Sequence, residues 1–317
     1  MKIVIGHKNL NLEELYSCAF LPGHAEIIVD SVTNADFAAT IPGGAPKDAQ
    51  SVPDVPKDIA GSIRLEHERA IILVKLLQIV KLKRNATRPN VEFLVKVLNN
   101  GVSFGGENLF KGLFELAKEQ NVFFSEKELF ILGNQVHIYN AIFALEVYKL
   151  SQNLPLLDTT LAFTLESLQQ VHVDFLSEYA LTLGKSTQGV NNFKNNLQAL
   201  TDKSKLLNAQ AVNKPLQDAL KLSKVYQLHT SVHERVLQLS TLLTNELNND
   251  YGSLFAEKKY KELLIFAKEQ QSEQLAVFSL QVSQLRYTVT ELASLSATRT
   301  QLLLAGVTAA AAPKDGL

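Results

Sequence analysis

Residues 212–247 read VNKPLQDALKLSKVYQLHTSVHERVLQLSTLLTNEL, and this stretch decides the fold that the sequence predicts. Its apolar residues recur at intervals of three and four, at Val225, Leu228, Val232, Val236, Leu239, Leu243 and Leu247. That spacing places one apolar stripe along an unusually long helix, which needs partners to cover the stripe. The first half of the helix also carries polar groups that a purely structural helix would not need, namely Gln217, Tyr226, Gln227 and His229.

A second long helix is predicted over residues 258–304. Its apolar residues alternate between spacings of three and four, which is the coiled-coil period, at Leu275, Phe278, Val282, Leu285, Val289 and Leu292. Two long antiparallel helices with sustained apolar seams indicate a bundle and assembly through it. The sequence therefore predicts a homo-oligomer or a hetero-complex that forms through helices 212–247 and 258–304.

The rest of the chain is predicted to be mostly helical. A short strand is expected over 2–5, and Asn11 with Glu14 has the spacing of a capping box at the start of a helix. Residues 22–61 hold five of the nine prolines and are predicted to be loop, with only 26–29 resembling a strand. Further helices are predicted over 63–83, 88–100, 107–119, 126–150, 158–183 and 191–208, with a break at Gly133–Asn134, a break at Pro155 and a loop over 184–190.

These elements predict an all-α fold, an elongated bundle of long antiparallel helices with a small N-terminal cap. The expected division is a cap with its Pro/Gly-rich loop over 1–61, the bundle over 62–305 and a flexible tail over 306–317.

Composition excludes several classes of partner. The chain has 317 residues, with 31 Lys and Arg and 32 Asp and Glu, and residues of the two charges are interspersed. The sequence therefore predicts no positive electrostatic field that would hold a nucleic acid or an anionic membrane. The apolar run in the opening MKIVIGHK is too short for the core of a signal peptide. Cys18 is the single cysteine. We therefore expect a cytoplasmic protein without nucleic-acid or membrane partners.

Two candidate reactive groups favour structural interpretations. His229 and His233 are four residues apart and share a helix face, which is the beginning of a metal site, but no third ligand is identifiable in the sequence. Cys18 is expected to be a buried small apolar residue rather than a nucleophile. The sequence thus predicts no metal and no cofactor.

The chain resembles the aromatic amino-acid ammonia-lyases, which include the histidine and phenylalanine enzymes. Similar segments occur in the same order from end to end. They are NLNLEEL at 9–15, RAIIL at 69–73, RPNV at 88–91, LNNGV at 98–102, KELFILGN at 127–134, LQDA with YQLH at 216–229, and LSATR at 295–299. The resemblance implies an ammonia-lyase/fumarase-like helical fold, and it implies a truncated chain, since the family's enzymes continue into a further helical region.

The departures from the family pattern bear on activity. Active members cyclise an Ala-Ser-Gly, in a loop after the LNNGV-like segment, into a methylidene-imidazolone electrophile. Here residues 102–106 read VSFGG and lead directly into the next helix, and no Ala-Ser-Gly occurs in the sequence. The resemblance places Ser223 where the family has the arginine that holds the substrate carboxylate, and it places Leu220 where the family has a tyrosine. The tyrosine base has no counterpart either, because no Tyr lies between Tyr16 and Tyr139.

The resemblance leaves a set of polar remnants, namely Asn134, Gln217 and Gln227 with His229, and Tyr226 lies beside them. These groups could line a remnant pocket or satisfy backbone inside a bundle. The first functional hypothesis is a catalytically degenerate protein that acts as an oligomeric binding or assembly partner of a full-length lyase or biosynthetic enzyme. The alternative is an isomerase, dehydratase or cyclase of an aromatic or polyene acid. An unrelated helical scaffold is the third possibility.

Overall fold

The computed structural model describes residues 1–6, 8–21, 25–30, 33, 35–39, 52–167, 188–202 and 216–249. For 163–167 and 216–228 the description covers the helical backbone. The chain divides into two compact units. Within the described ranges, the first unit takes in residues up to 148 together with 240–249, and the second takes in 149–167, 188–202 and 216–239.

The N-terminal part of the first unit is a strand, helix and strand. Strands β1 (Lys2–Ile5) and β2 (Glu26–Val29) pair in parallel, with helix α1 (Leu12–Phe20) between them in sequence. Both predicted strands are confirmed. The predicted capping box is also confirmed, because Oδ1 of Asn11 accepts from the Glu14 backbone N–H at 2.8 Å and Oε2 of Glu14 accepts from the Asn11 N–H at 3.1 Å.

The next helices are short to medium in length. They are α2 (Lys57–Ala60), α3 (Leu65–Lys81), α4 (Arg88–Asn99), α5 (Leu109–Glu119) and α6 (Glu126–Gly133), with 3-10 turns at Lys83–Asn85 and Gly106–Asn108. Helix α2 lies inside the segment 22–61 that was predicted to be loop, so the loop prediction is too broad there.

Helix α3 is the core of the first unit. Every residue over 67–80 is buried, including charged ones, and α3 packs against α1, α4 and α6. A helix that is buried on all sides needs an internal partner for each polar side chain. Gln78, for example, donates from Nε2 to the Leu247 carbonyl at 2.9 Å, near the end of the last described helix.

Helix α4 ends as the sequence predicts. Gly101 has φ +64°, and the N–H of Val102 reaches the Val97 carbonyl at 3.4 Å while that of Gly101 reaches the Leu98 carbonyl at 3.2 Å. This pair of bonds is a Schellman motif, which requires a left-handed residue at the position that Gly101 occupies.

The predicted break at Pro155 is wrong. Helix α7 (Gln135–Ser167) runs through this proline without interruption. Pro155 removes one backbone N–H from the helix, and the residue itself is exposed. Burial of Asp158 and Leu161 beyond it anchors the helix, and tertiary packing of this kind outweighs a local helix breaker. The predicted break at Gly133–Asn134 is confirmed, since Asn134 has an extended backbone between α6 and α7.

The predicted loop over 184–190 is partly wrong, because helix α8 begins at Gln188 (Gln188–Thr201). Gly189 is helical and lies against α9 (Leu216–Asn248), where a Cβ on it would come within 2.8 Å of the Cα of Glu234. The absence of a side chain therefore allows α8 to approach α9 closely.

The described part of the apolar stripe of the opening stretch is buried within the chain itself. Val232, Val236, Leu239, Leu243 and Leu247 are each at most 3% exposed. The predicted helix 258–304 and the tail 306–317 lie outside the described residues.

The predicted all-α class is confirmed, because the regular structure of the described residues is helical apart from the β1–β2 pair. The predicted division into cap, bundle and tail stays a prediction. Among the described helices, none combines the length and the apolar character that a membrane span requires.

Candidate functional site

The segment that follows α4 is tied down by a buried carboxylate. Glu68 of α3 is 1% exposed and accepts hydrogen bonds from the Ser103 hydroxyl at 3.2 Å, the Phe104 N–H at 2.9 Å and the Gly106 N–H. Three donors from one short segment converge on this carboxylate, which satisfies its charge without a cationic side chain. The segment over 102–106 is therefore a closed turn held against α3.

Gly106 allows this closure. It has φ +63°, and a Cβ on it would lie 2.7 Å from the Ile63 carbonyl oxygen. A side chain at this position would meet backbone that cannot move aside easily, and the left-handed conformation would add strain. Residue 106 is therefore suited to a tight turn with little room for a modified residue.

A second buried carboxylate, Glu128, joins the beginnings of two helices. It is fully buried and accepts from the N–H of Thr87 at 2.8 Å, the side-chain amide of Asn90 at 2.6 Å and the N–H of Ser125 at 2.7 Å. The sequence placed the start of α4 correctly at Thr87–Arg88, but the Thr87 hydroxyl donates to Glu128 at 3.1 Å and does not cap the helix. The motif around 127–134 thus contributes a structural junction.

Asn134, the first of the five remnant candidates, has a structural contact. Its Oδ1 accepts from the Val136 N–H at 3.0 Å, which supports the extended residue between α6 and α7. Its backbone carbonyl accepts from Nζ of Lys75 at 2.5 Å, and the Ile131 carbonyl accepts from the same amine at 2.9 Å. Lys75 therefore caps the C-terminal end of α6.

Lys75 is an unusual buried cation. It is 1% exposed, and burial lowers the pKa of its amine well below the ordinary value of 10.5. Nζ lies 5.8 Å from the centroid of the Phe110 ring. His137 is buried nearby, and burial followed by the charge of Lys75 lowers its pKa well below 6.5. Burial therefore disfavours the charged form of both groups in the folded chain.

His229, a further remnant candidate, belongs to a buried cluster in the second unit, which we name the Asp158 cluster. It contains Asp158 of α7, Phe193 and Asn196 of α8, and His229 and His233 of α9. Nε2 of His233 lies 2.8 Å from Oδ1 of Asp158, and Nδ1 of His229 lies 3.6 Å from the same oxygen. The amide of Asn196 donates to Oδ2 at 2.9 Å. The first distance is a good hydrogen bond, whereas 3.6 Å leaves a mainly electrostatic contact.

Burial and charge set the protonation states in the Asp158 cluster. Asp158 is 0% exposed and both histidines are 5% exposed. Burial alone raises the pKa of Asp158, but the contacts from His229, His233 and Asn196 outweigh it and hold the pKa at about 2. Burial lowers the pKa of His229 from 6.5, against the opposing effect of Asp158. The carboxylate is therefore ionised at neutral pH, and His229 is neutral there.

Phe193 forms the apolar wall of the Asp158 cluster. Its ring stacks on His229 with centroids 5.3 Å apart and lies 5.5 Å from the ring of His233. Among the described residues, no group of His, Cys, Asp and Glu has the geometry of a metal site. The arrangement joins three helices through one carboxylate.

The remaining candidates, Gln217, Tyr226 and Gln227, lie on the backbone of α9, and their side chains fall outside the description. Asn134 belongs to the first unit and these residues belong to the second. The shared remnant pocket therefore stays a prediction.

A surface groove of about 490 Å³ lies elsewhere, between β2 and α4 of the first unit. Ile27, Val29, Val91 and Val95 contribute apolar surface to it, and polar side chains at its edge include Asn99. The Asn99 side chain pairs with the backbone of Ile27, accepting from its N–H at 2.8 Å and donating to its carbonyl at 3.0 Å. This pair covers one peptide unit at the open edge of β2.

The sequence did not point to Glu68, Asp158 or Asn196. Glu68 reads as part of a polar patch on a long helix, and Asp158 as the first residue of a new helix after Pro155. Their partners are 35 or more positions away in the chain, so no local pattern connects them. The pair of His229 and His233 was the one local signal of the cluster.

Comparison with known proteins agrees with the fold. A family model described as aromatic amino acid lyase matches residues 111–314, well over half of the chain. The structure of tyrosine aminomutase from Streptomyces globisporus is similar, with a TM-score of 0.56 and 14% identity over 79% of this chain and 62% of that one. The structure of the ergothioneine-degrading enzyme ergothionase from Treponema denticola, in complex with desmethyl-ergothioneine sulfonic acid, is also similar. Its TM-score is 0.54, with 14% identity over 78% of this chain and 62% of that one.

Identities this low support the fold alone. The chain spans 62% of the length of each of these two enzymes. A search of the curated proteins found no match.

Proposed function

Because the chain belongs to the aromatic amino acid lyase family, we propose that it is a catalytically degenerate member that acts as a binding or assembly component. The observation that carries the first half of this proposal is the closed turn over 102–106. It lies inside the sequence, between α4 and α5, so the argument does not depend on where the chain begins or ends.

The residues present do not fit the family's prosthetic group. The methylidene-imidazolone supplies an electrophile to the active enzymes, and it forms from an Ala-Ser-Gly that this sequence does not contain. The N–H groups of Phe104 and Gly106 and the hydroxyl of Ser103 are all donated to Glu68. Ordinary side-chain nucleophiles are poor substitutes for that electrophile.

The residues at the positions that bind the substrate carboxylate in the family also support loss of the original reaction. Ser223 and Leu220 stand on α9 at the positions that the resemblance assigns to an arginine and a tyrosine. A serine hydroxyl cannot make the bidentate, charge-assisted pair that an arginine makes with a carboxylate. The loss of both features supports loss of the original reaction rather than a slower version of it.

The assembly half of the proposal needs a surface other than the apolar stripe of α9, whose described part is buried within the chain. Leu156 of α7 is a candidate contact, because it is 65% exposed and is the most exposed large apolar side chain among the described residues. Leu200 of α8 and Leu242 of α9 are each 44% exposed. Apolar side chains on the outer faces of long helices are suited to contact with a second copy or with a lyase partner.

Intact-mass measurement tests the degenerate half without a choice of substrate. We expect the mass calculated from the sequence, with no loss of water from cyclisation, and no release of urocanate, cinnamate or coumarate from the matching amino acids. A dehydrated chain or release of any of these products would overturn the proposal.

Native mass spectrometry tests the assembly half. We expect an oligomer, or a complex with a co-expressed full-length lyase, that the substitution Leu156→Glu weakens. Gln152→Glu, an exposed change on the same helix, is the matched control and should leave the complex intact. A monomer at micromolar concentration that binds no lyase would rule out the assembly role.

A second candidate is an enzyme of altered chemistry, such as an isomerase, dehydratase or cyclase of an aromatic or polyene acid. The contact between His229 and Asp158 favours it, because a neutral imidazole oriented by a carboxylate can accept a proton. The names of the two similar structures, an aminomutase and a degrading enzyme, also support use of this fold for more than one reaction. If an activity is demonstrated, His229→Gln and Gln217→Ala should reduce it at least about tenfold each. Unchanged turnover in both variants would remove this candidate.

A further inference from the structure

We infer that the Asp158 cluster is an acid-sensitive latch that holds α7, α8 and α9 of the second unit together at neutral pH and loosens them on acidification. Each of the three helices contributes to it. Asp158 comes from α7, Asn196 and Phe193 come from α8, and His229 and His233 come from α9. This inference concerns the second unit and does not depend on the proposed function.

The stability of the Asp158 cluster depends on how the buried charge of Asp158 is compensated. Asp158 is 0% exposed, and among the described residues its partners are two histidines and one amide, with no lysine or arginine. A buried carboxylate is stable only where its charge is matched by nearby donors. Here two of the three contacting side chains are imidazoles.

His229 and His233 contact the same oxygen of Asp158, but Nδ1 of His229 lies 3.6 Å from it, beyond ordinary hydrogen-bond distance. A positive charge on His229 is therefore poorly compensated in this buried site. Among the described side chains, the charged or titratable groups that face His229 are Asp158 from α7 and His233 from its own helix, and α8 presents the uncharged Phe193 and Asn196.

The direction of the pH effect follows from His229. Burial lowers its pKa in the folded chain below the ordinary value of 6.5. Between the two values the unfolded chain binds more protons than the folded chain, so stability is lost as pH falls through that window. Stacking on Phe193 opposes the hydration that a protonated ring requires. Acid should therefore loosen α9 against α7 and α8.

Hydrogen exchange on the full chain tests the latch. We expect amides of 188–202 to exchange about tenfold faster at about pH 5.5 than at about pH 7.5, after correction for intrinsic exchange. In His229→Gln the acid effect should fall below about twofold, since no titration remains at this position. Equal acid effects in the two proteins, or none in the native chain, would overturn the inference.

Two further measurements keep the test decisive. His67→Gln, a change in the first unit, should retain the full acid effect in 188–202, and loss of the effect there would overturn the latch. If His229→Gln does not fold, NMR titration of the imidazoles in the native chain replaces it. Protonation of His229 below pH 6.5, together with faster exchange in the same pH range, supports the latch. Protonation without faster exchange overturns it.

An experiment with zinc distinguishes the latch from a metal site, because two histidines and a carboxylate are also a possible set of ligands for zinc or iron. Zinc ion alone, added at about pH 7.5, should not slow exchange in 188–202. Protection by zinc that is abolished in His229→Gln would overturn the latch in favour of a metal site.

Discussion

Glu68 in the first unit and Asp158 in the second are both carboxylates with almost no solvent exposure, and they are held by different kinds of donor. Glu68 accepts from two backbone N–H groups and a hydroxyl, none of which titrates near neutral pH. Asp158 accepts from an amide and contacts two imidazoles. The comparison teaches that a buried charge becomes a permanent tie or a responsive one according to its donors.

The largest expected effect comes from Glu68→Ala. It leaves the buried N–H of Gly106 and the partly buried N–H of Phe104 without an acceptor. A buried donor without an acceptor costs about 1–3 kcal/mol, so we expect a loss of about 2–4 kcal/mol in unfolding free energy. Urea denaturation measures it, with the exposed Glu115→Ala as the control. The loss should be equal at about pH 5.5 and 7.5. A loss that depends on pH in this range would break the contrast with Asp158.

Two glycine substitutions probe the backbone of the same two regions. Gly106→Ala should cost about 2–4 kcal/mol, because it combines a left-handed backbone with a close carbonyl, whereas Gly189→Ala should cost about 1–3 kcal/mol through its approach to Glu234. Gly105→Ala is a control for conformation alone, since it has φ +80° and open space around it. If Gly189→Ala were neutral, the close packing of α8 on α9 would be wrong.

Lys75 extends the comparison to a buried cation of the first unit. Its lowered pKa means that the unfolded chain binds more protons between that value and 10.5, so stability rises with pH through this window and levels off above it. The slope is at most about 1.4 kcal/mol per pH unit for one group. Lys75→Met should remove this slope from denaturation curves recorded at about pH 7.5 and 10. An unchanged slope would show that Lys75 keeps its charge in the folded chain.

The smallest expected effect is that of Asn196→Ala. This residue is exposed, so water can replace its bond to Asp158, and we expect a loss of about 0.5–1 kcal/mol. The histidines should then bind protons more readily, which would reduce the acid effect on 188–202. Asn195→Ala, at the exposed neighbouring position, should change neither quantity. A loss of several kcal/mol would mean that the amide, rather than the histidines, holds Asp158.

The prediction of local structure from the sequence worked where the physics is local. The capping box of Asn11 and Glu14, the left-handed Gly101 and the break at Asn134 each depend on residues within a few positions of one another. It failed at Pro155, where burial of Asp158 and Leu161 carries the helix through a residue that breaks helices in isolation. It also placed the start of α8 too late, because the contact of Gly189 with Glu234 is distant in sequence.

The candidate site was predicted only in fragments. The motifs identified the family and the missing Ala-Ser-Gly, and the spacing of His229 and His233 marked one face of α9. Asp158 lies 75 positions from His233, and Glu68 lies 38 from Gly106, so neither pairing leaves a periodic signal. Of the remnant candidates, Asn134 supports a helix break and His229 belongs to a buried cluster, and both have structural partners.

The helical class, most element boundaries and the family follow from the sequence, because they depend on local propensity, spacing and the residues present. The partners of the segment over 102–106 and the surroundings of His229 and His233 follow only from the tertiary structure. The reason is that a buried charge must find its donors wherever the fold brings them. Glu68 found fixed backbone groups, and Asp158 found two histidines and an amide on other helices.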